Sequence, residues 1–248
     1  MSEVSSAVLS ELAPTGKLRV GINLSNVLLT KTDPVTGEHG GVAVDLGREL
    51  ARQLGVALEL VAYPNPGALA DAANRNAWDV GFLAAEPQRA KEIDFTAAYV
   101  EIEATYLVPP GSALKCIADV DSEGIRIAVA TKTAYELYLT RSLKHATLVH
   151  EKGADNAFKR YTAEKLDALA GLRPRLTVDQ EKQPGSRILE GGFTAVQQAA
   201  GTPMGRSAGA QYLREFVEKA KRSGLVAKTI EAHAVRGLTI AAASTVQR

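Results

Sequence analysis

The chain has 248 residues, 46% of them hydrophobic and 23% charged, with a formal net charge of +1. That composition is ordinary for a folded globular protein, and the length suits two small α/β lobes. The near-zero charge, with no Lys/Arg cluster beyond the usual helix faces, excludes the basic footprint of a nucleic-acid binder, and a single cysteine, Cys116, excludes an internal disulfide.

Residues 1–14 lack the basic, apolar and small-residue regions of a secretory signal. No apolar run approaches the ~20 residues needed to span a bilayer, so the chain as written is expected to stay in the cytoplasm. Val4, Val8, Leu9 and Leu12 fit a short helix packed on the body and ended by Pro14 and Gly16. Residues 18–24 form a first strand with Asn23 at its carboxyl end, and the loop 25–41 holds the turn formers Asp33-Pro34 and Thr36-Gly37. Val42, Leu46, Leu50 and Leu54 recur every four residues as a helix stripe, with Gly55 placed to cap it. A second strand over 58–62, a turn at 64–67 and a short helix over 68–76 follow.

The run 80–85 carries no charge, as a central strand covered on both faces should. Glu86-Pro87 ends it and leaves Arg89 just past its carboxyl end, the edge where open α/β sheets bind ligands. Ile93, Phe95 and Tyr99 then alternate into a second extended segment, 101–108, that leaves the first sheet. An arginine at a strand end beside a long connector predicts a cleft between two lobes. Beyond the breaker 109–112, a second unit repeats the order of strand, loop and helix: strand 125–130, the turn Thr131-Lys132-Thr133, a helix through Tyr135, Leu139 and Leu143, strand 147–150, helix 154–161 and strand 166–171. Arg173 and Arg175 flank Pro174 in what reads as a solvated loop. Residues 187–189 and 194–200 are extended, and a helix carrying Tyr212, Leu213, Phe216, Val217 and Ala220 ends at Gly224. A last helix over 226–233 and a mobile tail over 238–248 complete the chain.

The run of Pro87, any residue, Arg89-Ala90-Lys91-Glu92-Ile93-Asp94-Phe95-Thr96, two residues and Tyr99 resembles the signature of the polar amino acid family (family 3) of extracellular solute-binding proteins, the receptors of bacterial uptake transporters. Residues 16–21 resemble that family's first strand, and 40–46 with Leu50-Ala51 and Leu54-Gly55-Val56 its first helix; the likeness extends to His233. It implies an α/β, two-lobed periplasmic-binding-protein-like (type II) fold with two hinge crossovers. Lobe one would be 1–106 with 195–248 and lobe two 107–194, with 194–200 as the return crossover. It further implies a membrane transporter as partner, and a periplasmic location should a leader be missing.

In that family the arginine at the position of Arg89 holds the ligand carboxylate, which its planar fork of donors matches in bidentate fashion. Without ligand its side chain is expected to be hydrated. The turn around Thr133 serves the same carboxylate from the other lobe: unsatisfied amides at a helix start attract an anion, Thr133 adds a hydroxyl, and Lys132 adds charge. A cap of the following helix is an equal role for Thr133. The sequence departs from the family where the ammonium group of an amino acid would bind. Leu172, followed by Arg173, stands in place of an acidic residue, Asn23 in place of the first-strand aspartate, Asn26 in place of an aromatic platform, and Phe82 and Ala84 in place of a serine pair. The expected ligand is therefore a small organic carboxylate and not a standard α-amino acid, bound by a monomeric receptor of an ABC-type uptake system that needs no cofactor or metal. Gln197 and Gln198 lie on the return crossover, where hinge packing is the simpler role.

Catalysis is not expected. His39, His145, His150 and His233 have no metal-ligand spacing, and no nucleophile motif or phosphate-binding glycine loop occurs. Two alternatives stay open. One is a cyclohexadienyl-dehydratase-like lyase of the same fold, with Glu86, Glu101 or Glu103 as general acid; the other is a cytosolic ligand-sensing protein.

Overall fold

A computed structural model describes residues 4–244. The chain divides into two compact units, Met1–Glu101 with Gln197–Arg248, and Ile102–Val196.

Unit one opens with α1 (Ser6–Leu12), whose first turn is capped by the Ser5 side chain accepting from the Val8 amide. Val8 and Leu12 are buried where α1 packs on α7 (Ser207–Arg222). Strands β1 (Lys17–Asn23), β4 (Ala57–Tyr63) and β5 (Val80–Ala84) run parallel in the order β4-β1-β5, and β11 (Thr194–Pro203) and β6 (Ile93–Val108) extend that sheet. Every residue of β5 is buried, as its uncharged sequence requires. The loop before α2 (Val42–Leu54) carries a two-rung hairpin, β2 (Lys31–Thr32) with β3 (His39–Gly40).

Two glycines fix α2. Gly41 precedes it at φ 112, with the Leu29 carbonyl oxygen 2.5 Å from where a Cβ would stand, so no side chain fits. Gly55 ends it in the left-handed region at φ 71, with its own amide and that of Val56 returning to Arg52 and Ala51 carbonyls. The helix predicted over 68–76 is two pieces. α3 (Pro66–Asp71) is capped by Asn65 and a 3-10 turn covers Ala73–Arg75, after which Asn76, at φ 49, ends the helical path. Beneath α3 lie Leu69, Trp78, Leu83 and Ile93, and the Trp78 indole, fully buried, donates to the Leu69 carbonyl at 2.9 Å.

In unit two, β7 (Arg126–Ala130) pairs in parallel with β8 (Thr147–Glu151) and β9 (Ala168–Leu172). β9 pairs antiparallel with the second half of β6, as does β10 (Arg187–Ile188). Helices α4 (Ala134–Ser142) and α5 (Ala154–Ala163) fill the connections, and Leu107, Ala128, Ala157, Tyr161, Leu169 and Leu176 form a buried cluster. Arg173-Pro174-Arg175 is not a loop: it opens α6 (Arg173–Glu181), where the missing amide of Pro174 costs nothing because first-turn amides have no helical partner.

The expected mobile tail is also corrected. After α8 (Leu225–Ala232), β12 (Thr239–Ile240) pairs with β6 at Glu101 and Val100, and Ala241 is buried. Residues 245–248 of the predicted tail, and 1–3 of the N-terminal stretch, lie outside the described residues. Gly224, at φ 76, follows the last turn of α7 in the left-handed conformation that ends a helix, with its amide returning to the Lys221 carbonyl, and it also stands at the start of α8.

Candidate functional site

In unit one the parallel strands β1, β4 and β5 present their carboxyl ends, Asn23, Tyr63 and Ala84, on one edge, as the register of β1 with its two neighbours requires. Arg89 follows from β5 by five residues, in a short 3-10 turn. Its guanidinium is buried, with the residue 6% exposed, and Nη1 donates to the Ala84 carbonyl at 2.8 Å. The expected hydrated side chain is therefore corrected: Arg89 is a buried cation anchored to the end of its own strand.

Asn23 is nearly buried, and its Oδ1 accepts from the Ser25 amide at 3.1 Å and the Ser25 hydroxyl at 2.8 Å. Asn26 Oδ1 accepts from the Leu28 amide at 3.3 Å. Both asparagines thus shape the turn after β1 through their carbonyl oxygens, which is what short polar side chains do at loop starts. Phe82 is a core residue. Its ring is buried and meets Tyr99 edge to face at 5.8 Å. Ala84 is buried and contributes its carbonyl to Arg89.

In unit two, β7, β8 and β9 end at Ala130, Glu151 and Leu172, and the Thr131 amide donates to the Glu151 carbonyl at 2.8 Å. The turn that follows is built by its cap. Thr133 Oγ1 accepts from the Glu136 amide at 3.2 Å and spends its one proton on the Ala130 carbonyl at 2.9 Å. The Thr133 hydroxyl is therefore a helix cap in this arrangement, and the donor expected for a ligand is already used. Lys132 stands at φ 59, left-handed for a side chain with a Cβ, and its amide donates to Glu136 Oε2 at 3.1 Å.

Leu172 is half-buried at the end of β9 and directly precedes α6. Arg173 is committed elsewhere. Its Nε donates to Glu103 Oε1 at 2.5 Å, and Nη2 donates to the Leu189 and Gly191 carbonyls at 3.0 and 2.9 Å. Thr105 Oγ1 binds the same two carbonyls, so Arg173 fastens the segment that leads into β11. Its expected role as a ligand cation is replaced by this structural one.

Sequence reasoning missed Glu136, and it missed the partner of Glu103. Glu136, nine-tenths buried, joins the turn to α4 and β8: Oε1 accepts from Thr140 at 3.1 Å and lies 3.1 Å from His150 Nε2. The pattern Thr133-x-x-Glu136 is a legible capping signal. Glu103 has no local signal, since its partner lies 70 residues away. A third anion, Asp79, is fully buried before β5 and is held by Arg19 Nε and Nη2 at 2.9 and 2.7 Å and by Arg206 Nη1 at 3.0 Å. The hydrogen bond with Asp79 raises the Arg19 guanidinium above its ordinary range.

A family model described as bacterial extracellular solute-binding proteins, family 3, matches residues 18–234. No curated protein sequence matches the chain. Among solved structures, a mutant of ArgBP from T. maritima is 22% identical with a TM-score of 0.74, over 92% of this chain and 99% of that one. An ancestral amino acid-binding protein, described as a precursor of cyclohexadienyl dehydratase, is 23% identical with a TM-score of 0.73, over 90% and 98%. An amino acid ABC transporter substrate-binding protein from Streptococcus pneumoniae bound to L-arginine is 21% identical with a TM-score of 0.73, over 96% and 100%. These likenesses give the α/β fold of periplasmic-binding-protein type II, in which β6 and β11 are the two crossovers. With the family model spanning most of its length, the chain belongs to the family 3 bacterial extracellular solute-binding proteins.

Proposed function

We propose that the protein is the receptor of an ABC-type uptake system for a small organic anion whose carboxylate is held by Arg89. One observation carries this reading: a buried guanidinium, anchored at one corner by the Ala84 carbonyl, at the carboxyl-end edge of parallel strands. A guanidinium fixed in this way needs little reorganisation to meet a carboxylate. For Asn23 and Asn26 the proposed contribution is the side-chain amide nitrogen, since their carbonyl oxygens already accept from the turn.

The proposed ligand lacks an α-ammonium group. Leu172 offers no acceptor at the end of β9, and an ammonium desolvated against an apolar side chain would lose its hydration without replacement. A second reading, an amino acid ligand, is favoured by the similar structures that carry L-arginine and lysine. A thermal-shift panel separates the two. L-arginine, L-lysine and the other standard amino acids should leave the melting temperature unchanged, and one or more non-amino carboxylates should raise it. Ligand at 100 times its dissociation constant should stabilise by about 2.7 kcal/mol. Micromolar binding of a standard amino acid in calorimetry contradicts the proposal and supports the second reading.

Binding without turnover is part of the proposal. The dehydratase precursor among the similar structures makes the check specific: incubation with prephenate-like acids should return them unchanged.

A further inference from the structure

The last described residues do more than end the chain. β12 pairs Thr239 with Glu101 and Ile240 with Val100, and the Ala241 amide donates to the Tyr99 carbonyl at 3.2 Å. These are the final residues of β6 within unit one; Ile102 belongs to the second unit. The same segment is tied to α7. Lys221 Nζ donates to the Ala242 carbonyl at 3.0 Å, the Ser244 amide donates to Glu218 Oε2 at 2.7 Å, and Lys221 and Glu218 lie 2.7 Å apart.

The ion pair explains why this contact is more than a resting place. Lys221 and Glu218 have side chains only 2% and 9% exposed. A pair of buried charges is tolerated when further hydrogen bonds complete its shell, and the tail backbone supplies one to each member. If the tail lifts, both charges lose that partner and water must enter beneath it. The edge of β6 at Tyr99–Glu101 is thus fastened, through six residues of tail, to a helix of unit one.

We propose that the C-terminal segment 238–244 is a strap that sets the freedom of β6 at the point where it leaves unit one. The proposal is independent of the ligand and of Arg89. In a two-unit receptor the connecting strands must bend, and a strand held on its edge up to Glu101 bends beyond that residue rather than before it. The strap therefore fixes where the bend begins.

Hydrogen exchange of the full-length, ligand-free protein tests this. Ala241→Pro removes the donor to Tyr99 and lies wholly in the tail, so it leaves the body of the fold intact; Lys221→Met, an apolar side chain of similar length, releases the strap from the helix side. Both should speed exchange at Val100–Ile102 at least tenfold while the amides of β1 keep their rates. Acceleration confined to residues 238–244 would show a passive tail and overturn the proposal. Equal acceleration in β1 and β6 would also overturn it, because the tail would then contribute only to global stability.

Discussion

Ala234 holds a position that glycine would fill at lower cost. It stands at φ 50 just beyond α8, with its amide donating to Glu231 and that of Val235 to Ile230, the bond pattern that Gly55 and Val56 help form at the end of α2. A left-handed residue with a Cβ costs on the order of 1 kcal/mol. Ala234→Gly should therefore raise stability in denaturant by about that amount, and Gly55→Ala should lower it by about as much; opposite signs would contradict the account of both caps. Tyr135 gives a pH test. Desolvation pushes its phenol up to about 12 from its ordinary 10.0. The folded state therefore favours the neutral form, and this contribution is full below pH 10 and is lost as pH rises from there towards about 12, which alkaline unfolding of wild type against Tyr135→Phe should show. At this scale the sequence was informative where chemistry is local. Gly55, Arg89 and Thr133 sit in patterns spanning a few residues, and each lies where its pattern puts it. Arg173 was misjudged because what binds it, Glu103 and two carbonyls near Gly191, is remote in sequence and leaves no periodic trace.

Between elements, charge is placed to join segments rather than to decorate them. Asp79 binds β1 through Arg19 and the start of α7 through Arg206, and Arg206 reaches on to the Glu11 carbonyl of α1. Removing that fully buried carboxylate leaves two arginines facing one another. Asp79→Ala should cost roughly 3 to 5 kcal/mol, measured by urea unfolding, and a loss below 1 kcal/mol would remove Asp79 from the account of unit one. The α4 cap is a smaller test: Thr133→Ala should cost about 1 kcal/mol, and Thr133→Ser much less. The strands of both units were legible because uncharged runs such as 80–85 and 127–130 have a single structural use. α6 and β12 were not: Arg-Pro-Arg reads as a breaker until Pro174 is placed in a first turn, and a two-residue strand has no period.

At the scale of the whole molecule, the family follows from ordered segments along most of the chain, whereas the ligand depends on a few side chains. Those side chains are enmeshed in the fold: Arg89 bonds the Ala84 carbonyl, the Phe82 ring meets Tyr99, Arg173 binds Glu103, and the Thr133 hydroxyl bonds the Ala130 carbonyl. Ligand chemistry was thus less legible than fold, because a residue's commitment to its neighbours is invisible until they are in place. The direct test is calorimetric titration of wild type, Arg89→Lys and Arg89→Ala with the carboxylate that gives the largest shift in the panel, each variant first melted without ligand to confirm folding. Loss of a desolvated charge partner should cost on the order of 2 to 5 kcal/mol, so Arg89→Ala should bind at least tenfold more weakly, with Arg89→Lys between it and wild type. Unchanged affinity in a folded Arg89→Ala would contradict the assignment of the ligand carboxylate to Arg89.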